Sequence, residues 1–310
     1  MRRAIVALIS SLVLFCLMLE VTTRAFYGRI SRIRGRIEAE HTAALASGVK
    51  GQRPDVLIAG NSLLLLGVDY PELQRSLAPQ IKIDRFVVES TGYLDWYYGL
   101  RQILQRGGRP DAVVLVLSPR QFLAPGVAGD LFANVMLDRG DLLRLIHDTH
   151  ADRTTATNLL LDTLSDFYGS RAEIRNWLLN KAMPRSAQLA DFLRPHALPV
   201  KEDDSAVELA AARLAQIRTL TQHYGARFVL VVPPQLSTEG IGTLQQAAAQ
   251  ADATFLVPLG PGVLPSSEFS DGQHLTAHGA AVFTPALAHE IMKLDLRANS
   301  TLTSRTDFPR

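Results

Sequence analysis

Cysteine is almost missing: Cys16 is the single one in 310 residues. That excludes an intrachain disulfide and leaves the redox compartment open. Neither sign of charge is in excess. A net charge of +2 implies no bulk polyanion as partner, and no basic run interleaved with aromatics points to nucleic acid. Internal repeats and low-complexity tracts are also lacking. What remains is an ordinary globular composition, 47% hydrophobic and 20% charged, long enough for one large domain plus extras.

One uncharged apolar run covers residues 4–19, behind Arg2 and Arg3. It is short for a span of about 20 residues, but Glu20 can snorkel to an interface and pair with Arg24 one turn on. No small-x-small cleavage site follows, and Phe15 before Cys16 is a poor lipoprotein context, so residues 1–24 read as an uncleaved membrane anchor. Residues 25–50 read as a basic juxtamembrane helix or stalk. Ile30, Ile33 and Ile37 share one face there, with Arg29, Arg32 and Arg36 largely around the other, a pattern suited to anionic headgroups or to a solvated stalk. Arginines on both sides of the apolar run leave orientation undecided by charge.

Residues 51–296 alternate strand and helix, which predicts a parallel sheet with helices on both faces. Strands are expected at 56–58, 82–88, 112–117, 227–232 and 254–258. Helices are expected at 71–77, 95–105, 242–251 and 276–294, the last with Pro285 kinking it or in its first turns. A further helix starts from the capping-box pattern of Ser205 and Glu208. Residues 124–200 break this rhythm with helical pieces at 142–146, 158–167 and 171–179, with Pro184, Pro195 and Pro199 as breaks and no convincing strand. They form a helical insertion, a lid or a partner surface. Residues 297–310 read as a polar tail.

Candidate chemistry gathers just after the strands. Ser62 follows the first strand through the tight Gly60-Asn61 turn, Gly92 follows the second, and Ser118, Arg120 and Gln121 follow the third. Asp271 and His274 lie three residues apart in a polar loop before the last helix. Carboxyl ends of parallel strands are where open α/β sheets bind ligands, and serine, histidine and aspartate are the parts of a hydrolytic or acyl-transfer triad. His278 reads as a helix-start residue rather than a catalytic one. His147, Asp148, His150 and Asp152 have metal-like spacing without a further ligand set, so they read as a polar helix end. No metal or cofactor is expected.

With these residues in place the chain resembles the SGNH (GDSL-type) hydrolase superfamily over roughly residues 50–295. Gly60-Asn61-Ser62 is similar to its first block, with Asn61 where aspartate is usual. Gly92 matches the second-block glycine, and Asp271-Gly272-Gln273-His274 the fifth-block Asp-x-x-His. The third block departs: 117–121 reads Leu-Ser-Pro-Arg-Gln where Gly-x-Asn-Asp is expected, and Arg120 stands nearest the missing oxyanion asparagine. The anchor, the insertion and the Ser-Pro motif look more like the DltD-type branch. The resemblance implies a flavodoxin-like three-layer α/β/α sandwich outside the cytoplasmic membrane. It further implies Ser62, His274 and Asp271 as catalytic residues, with Ser62, Gly92 and Arg120 at the oxyanion. Asn61, Ser118 and Gln121 are possible substrate contacts. The implied partners are a membrane-bound O-acyltransferase and an envelope glycopolymer that accepts D-alanyl or other acyl groups. A free esterase and a non-catalytic scaffold are the alternatives.

Overall fold

The computed structural model describes residues 2–27, 31–48, 53–127, 131–182 and 202–296. In chain order, α1 (Arg2–Thr22) runs on through a π-helical turn (Thr23–Tyr27) and is followed by α2 (Arg32–Leu45). Then come β1 (Asp55–Gly60), α3 (Ser62–Gly67), α4 (Tyr70–Leu77), β2 (Lys82–Val87), α5 (Tyr93–Gln105), β3 (Ala112–Val116) and α6 (Pro119–Leu123). The insertion holds α7 (Phe132–Val135), α8 (Leu142–Asp148), α9 (Arg153–Leu164), α10 (Asp166–Gly169) and α11 (Arg171–Ala182). The chain returns with α12 (Asp204–His223), β4 (Arg227–Val231), α13 (Ile241–Gln250), β5 (Thr254–Leu256) and α14 (Ala277–Met292). Two compact units result, Met1–Glu38 with Asp130–Leu198, and Ala39–Gly129 with Pro199–Arg310.

The second unit is the sheet. All pairings are parallel and the strand order is β2-β1-β3-β4-β5, the flavodoxin-like order. β1 and β3 are buried along their whole length, which is why they read as unbroken Val, Leu and Ile runs. Side chains alternate between the faces. Val56, Ile58, Val114, Val116, Val229 and Val231 pack with Leu64 of α3, Leu73 and Leu77 of α4, and Phe283, Leu287 and Ile291 of α14. α12 packs on β4 and α13 on β5. Each fully buried leucine or valine in these layers contributes about 1.5–3 kcal/mol.

Local capping fixes where the helices begin. Asp69 accepts from Glu72 N at 3.1 Å ahead of α4, and Thr276 accepts from Gly279 N at 3.1 Å ahead of α14. α12 corrects the sequence expectation: its cap is Asp203, which accepts from Ala206 N at 2.9 Å, while Ser205 donates to the same carboxylate. A carboxylate is the stronger partner for the positive end of a helix, so it takes the cap from the serine behind it. Pro285 lies within α14.

The segment expected to be a stalk is not a free one. In the second half of α2, Glu40 Oε1 accepts from Arg85 Nε and Nη2 at 2.9 and 2.6 Å, and Oε2 accepts from Val87 N at 2.8 Å. His41 meets Gln102 of α5 at 2.9 Å. Breaking a largely buried pair like Glu40–Arg85 costs about 3–5 kcal/mol, so α2 helps hold the end of β2. Arg29 and Ile30 lie outside the described residues, as do Pro184, Pro195, Pro199 and the tail 297–310.

In the first unit, the most apolar 18-residue window of Arg2–Ala25 has a mean hydropathy of 2.6 and no buried residues, and the helix is long and apolar enough to cross a membrane. The end of α1 is bonded to the insertion. Glu20 pairs with Arg24 at 2.7 Å and accepts from Ser165 Oγ, Asp166 N and Phe167 N at 2.7, 3.0 and 3.2 Å. These bonds explain a second difference from expectation. The helix predicted across 158–167 stops at Leu164, because Ser165 and Glu20 together cap a new start at α10. Asp152 caps α9 through Thr155 N at 2.7 Å, and His147 lies on the surface beside Asp148.

Candidate active site

β1 and β3 are neighbours although β2 separates them in sequence. The chain reverses direction across the sheet there, leaving a crevice at the strands' carboxyl ends. Ser62 stands at this edge as the first residue of α3. Asn61, wholly buried, makes the turn. Its Oδ1 accepts from Leu63 N at 3.0 Å and its Nδ2 donates to Thr91 O at 2.8 Å. The proposed substrate contact at Asn61 is therefore corrected: both ends of the amide brace the turn, and none of it is exposed to solvent. Thr91, which the sequence reading passed over, extends the brace. It accepts from Trp96 Nε1 at 2.9 Å and donates to Val88 O at 2.6 Å.

The loop carrying the acid and base is closed on itself. Phe269 and Leu275 form an antiparallel bridge, and Ser270 N donates to His274 O at 2.8 Å. Gly272 at φ +81° provides the left-handed turn that a side chain resists. Asp271 Oδ1 accepts from Gln273 N and His274 N at 3.0 and 2.8 Å, which leaves Oδ2 for His274 Nδ1 at 2.7 Å. On the far side of the ring, Nε2 lies 2.9 Å from Ser62 Oγ. Side chains 212 positions apart thus form one hydrogen-bonded chain. Because Nδ1 donates to the carboxylate, Nε2 is the lone-pair side that faces the serine.

Partial burial works to raise the Asp271 carboxyl. The backbone N–H and imidazole of His274 and the N–H of Gln273 outweigh it and hold the group at about 2. The carboxylate is therefore charged across the neutral range. It is also 46% exposed, so water reaches this end of the chain. His278 pairs with Glu268 at 3.0 Å, and Glu268 accepts from Thr276 Oγ1 at 2.6 Å. His278 thus braces the start of α14.

The oxyanion side differs from expectation. Gly92 N donates to Asp95 Oδ2 at 2.8 Å within a buried turn, so that N–H is already engaged and is not a free oxyanion donor. The glycine has a different physical basis. A Cβ there would lie 2.8 Å from the backbone oxygen of Gln121, where the starts of α5 and α6 meet. We expect Gly92→Ala to lose about 1–3 kcal/mol through this overlap. Urea melts would read it, and a midpoint matching wild type would contradict the contact.

Of the expected backbone donors, Ser62 N remains. It lies in the first turn of α3, where N–H groups have no intrahelical acceptor, and it has no partner among the described residues. Ser118 and Gln121 are corrected in part. Ser118 Oγ accepts from Gln121 N at 3.3 Å, and Ser118 N donates to Gln121 Oε1 at 3.0 Å. This reciprocal box caps α6; among the described residues the Gln121 amide nitrogen and the Ser118 hydroxyl proton have no hydrogen bond. Arg120 is solvent-exposed on the first turn of α6. No sequence signal distinguishes a serine or glutamine that caps a helix from one that binds a substrate.

No protein-family model matches the chain, and no curated protein matches it in sequence. Among solved structures it is similar to the psychrotrophic esterase EstA from Pseudoalteromonas sp., solved inhibited by monoethylphosphonate. That likeness has 12% identity and a TM-score of 0.40, over 77% of this chain and 97% of that one. It is also similar to TesA, at 14% identity and a TM-score of 0.37, over 75% of this chain and 95% of that one. Likeness at this level carries no argument about activity, which rests on the site itself.

Proposed function

We propose that this protein is a membrane-anchored serine acyltransferase of SGNH type that works through an acyl-enzyme. The observation that carries this is the Ser62–His274–Asp271 hydrogen-bonded chain. Ser62 Oγ attacks an acyl carbonyl as His274 Nε2 takes its proton, and the new C–O bond drives the carbonyl electrons onto oxygen. Asp271 holds the ring's orientation and stabilises the imidazolium. Ser62 N donates to the developing oxyanion, a bond of about 3–4 kcal/mol in a well-formed site. His274 returns the proton to the leaving oxygen. An acceptor hydroxyl, activated by the same imidazole, then takes the acyl group. Cofactors have no part in this sequence of steps.

The bonding of Glu20 and Arg24 into the insertion supports α1 as a retained anchor rather than a removed leader. The finer reading places the sheet unit on the extracytoplasmic side. There it passes D-alanyl or other acyl groups to an envelope glycopolymer beside a membrane-bound O-acyltransferase. Arg120 makes no ion pair among the described residues and suits an anionic donor or acceptor. Arg120→Ala is expected to raise KM for an anionic acyl donor about 2–5-fold, the scale of an exposed ion pair, with a neutral ester unchanged. Equal KM values for both esters would remove Arg120 from the site.

Hydrolysis is the second reading, favoured by the half-exposed Asp271, since water that reaches the triad can itself release the acyl group. A fluorophosphonate probe on the full chain tests the shared chemistry: Ser62 should become the labelled residue, and no adduct there would end the proposal. Release of an acyl chain from the labelled donor, with and without a polyol or sugar acceptor, separates transfer from hydrolysis.

A further inference from the structure

We infer that the C-terminal leucine face of α9 is a lipid-contacting surface, seated on acyl chains of the leaflet from which α1 emerges. The inference rests on the reading of α1 as a membrane anchor. Leu160, Leu161 and Leu164 are 43%, 37% and 49% exposed, whereas Leu159, Asp162 and Thr163 of the same helix are buried. Leu160, Leu161 and Leu164 stand one turn apart or less, so they form a single apolar patch on the outward side of α9.

The position of that patch identifies what covers it. Arg24 Nη2 donates to Leu164 O at 3.3 Å, and Glu20 accepts from Ser165 Oγ at 2.7 Å. The end of α9 is therefore within hydrogen-bond distance of the last turns of α1. At about 1.5 Å per residue, the helix from Arg3 to Glu20 and Arg24 is about as long as the hydrocarbon core is thick, near 30 Å. With Arg2 and Arg3 in one headgroup layer, Glu20 and Arg24 lie at the opposite boundary. The patch is held at that same depth. Interfacial helices sink an apolar face about 5–10 Å past the headgroups, which is within reach of leucines at this level. Half-exposed Arg24 stands beside the patch, where the anionic headgroups would lie.

The test uses the full chain in vesicles of phosphatidylcholine and phosphatidylglycerol. The single native cysteine, Cys16 in α1, is replaced by serine. Leu161→Cys, Leu164→Cys or Arg153→Cys then carries an environment-sensitive fluorophore. Arg153 is exposed at the far end of α9. Labels at 161 and 164 should be quenched several-fold more by nitroxide lipids than by an aqueous nickel chelate, and the label at 153 should show the reverse. Circular dichroism of each labelled chain checks that it is folded. A parallel sample labelled at native Cys16 reports on the anchor itself. If Cys16 is lipid-buried while 161 and 164 respond to the chelate like 153, the inference is overturned with the anchor standing. The face would then be open to solvent or to a protein partner. If Cys16 responds to the chelate, the anchor reading and this inference fall together.

Discussion

Ser62→Ala lowers kcat for a short-chain ester by about 10⁶-fold while leaving the fold intact. That corresponds to about 8 kcal/mol of lost transition-state stabilisation. Alanine keeps the first turn of α3, since Asn61 caps it through its own side chain, and among the described residues the Ser62 hydroxyl has no bond other than the one to His274. The loss should therefore appear in kcat and in probe labelling, with melting unchanged. His274→Ala should be nearly as damaging, and the double variant no worse than Ser62→Ala alone. Residues that act as one unit are not additive. Retention of a tenth of wild-type kcat by Ser62→Ala would show that the turnover belongs elsewhere. Losses that multiply in the double variant would show that the two side chains act separately.

Asp271→Asn carries the second largest effect, about 10⁴-fold in kcat. An amide can meet Nδ1 with its oxygen or with its NH₂. The second arrangement protonates Nε2 and leaves Ser62 without a base. The neutral side chain is also a weaker acceptor for the N–H groups of Gln273 and His274, so the loop that presents the imidazole loosens. A stability signature accompanies the kinetic one. The folded carboxyl, at about 2, lies below its ordinary value of 3.8. Its contribution is present above the ordinary value and is lost as pH falls towards the folded one. With nearly half the side chain in water, screening keeps that contribution small. The gap between wild type and Asp271→Asn in urea melts should therefore narrow between pH 3.8 and about 2. A gap that stays constant across this window would mean that the carboxylate's bonds do not hold the loop.

Fold and site were legible to different extents. β1 and β3 could be read from sequence because a strand buried on both faces leaves a continuous apolar run. Ser62, Asp271 and His274 could be singled out because each falls just past a strand or just before a helix. The neighbouring polar residues could not be assigned this way. Asn61, Ser118, Gln121 and Gly92 are types that serve helix caps and tight turns as readily as ligand contacts. Each is bonded or packed into the sheet's own edge. Read locally, Glu20 is a residue that can snorkel to an interface and pair with Arg24. Its bonds to residues 165–167 join positions too distant for any local pattern to link.

Taken alone, the amino-acid order determined the strand–helix alternation, the apolar amino-terminal helix, and the presence of a serine and an Asp-x-x-His pair. Those features follow from side-chain periodicity and turn chemistry, which act over a few residues. Only the packed structure decided that the imidazole reaches the serine, that Gly92's N–H is already bonded, and that α1 is fastened to the insertion. Hydrogen bonds across the fold depend on where whole elements come to rest, and packing between distant segments sets that rather than any one stretch of sequence.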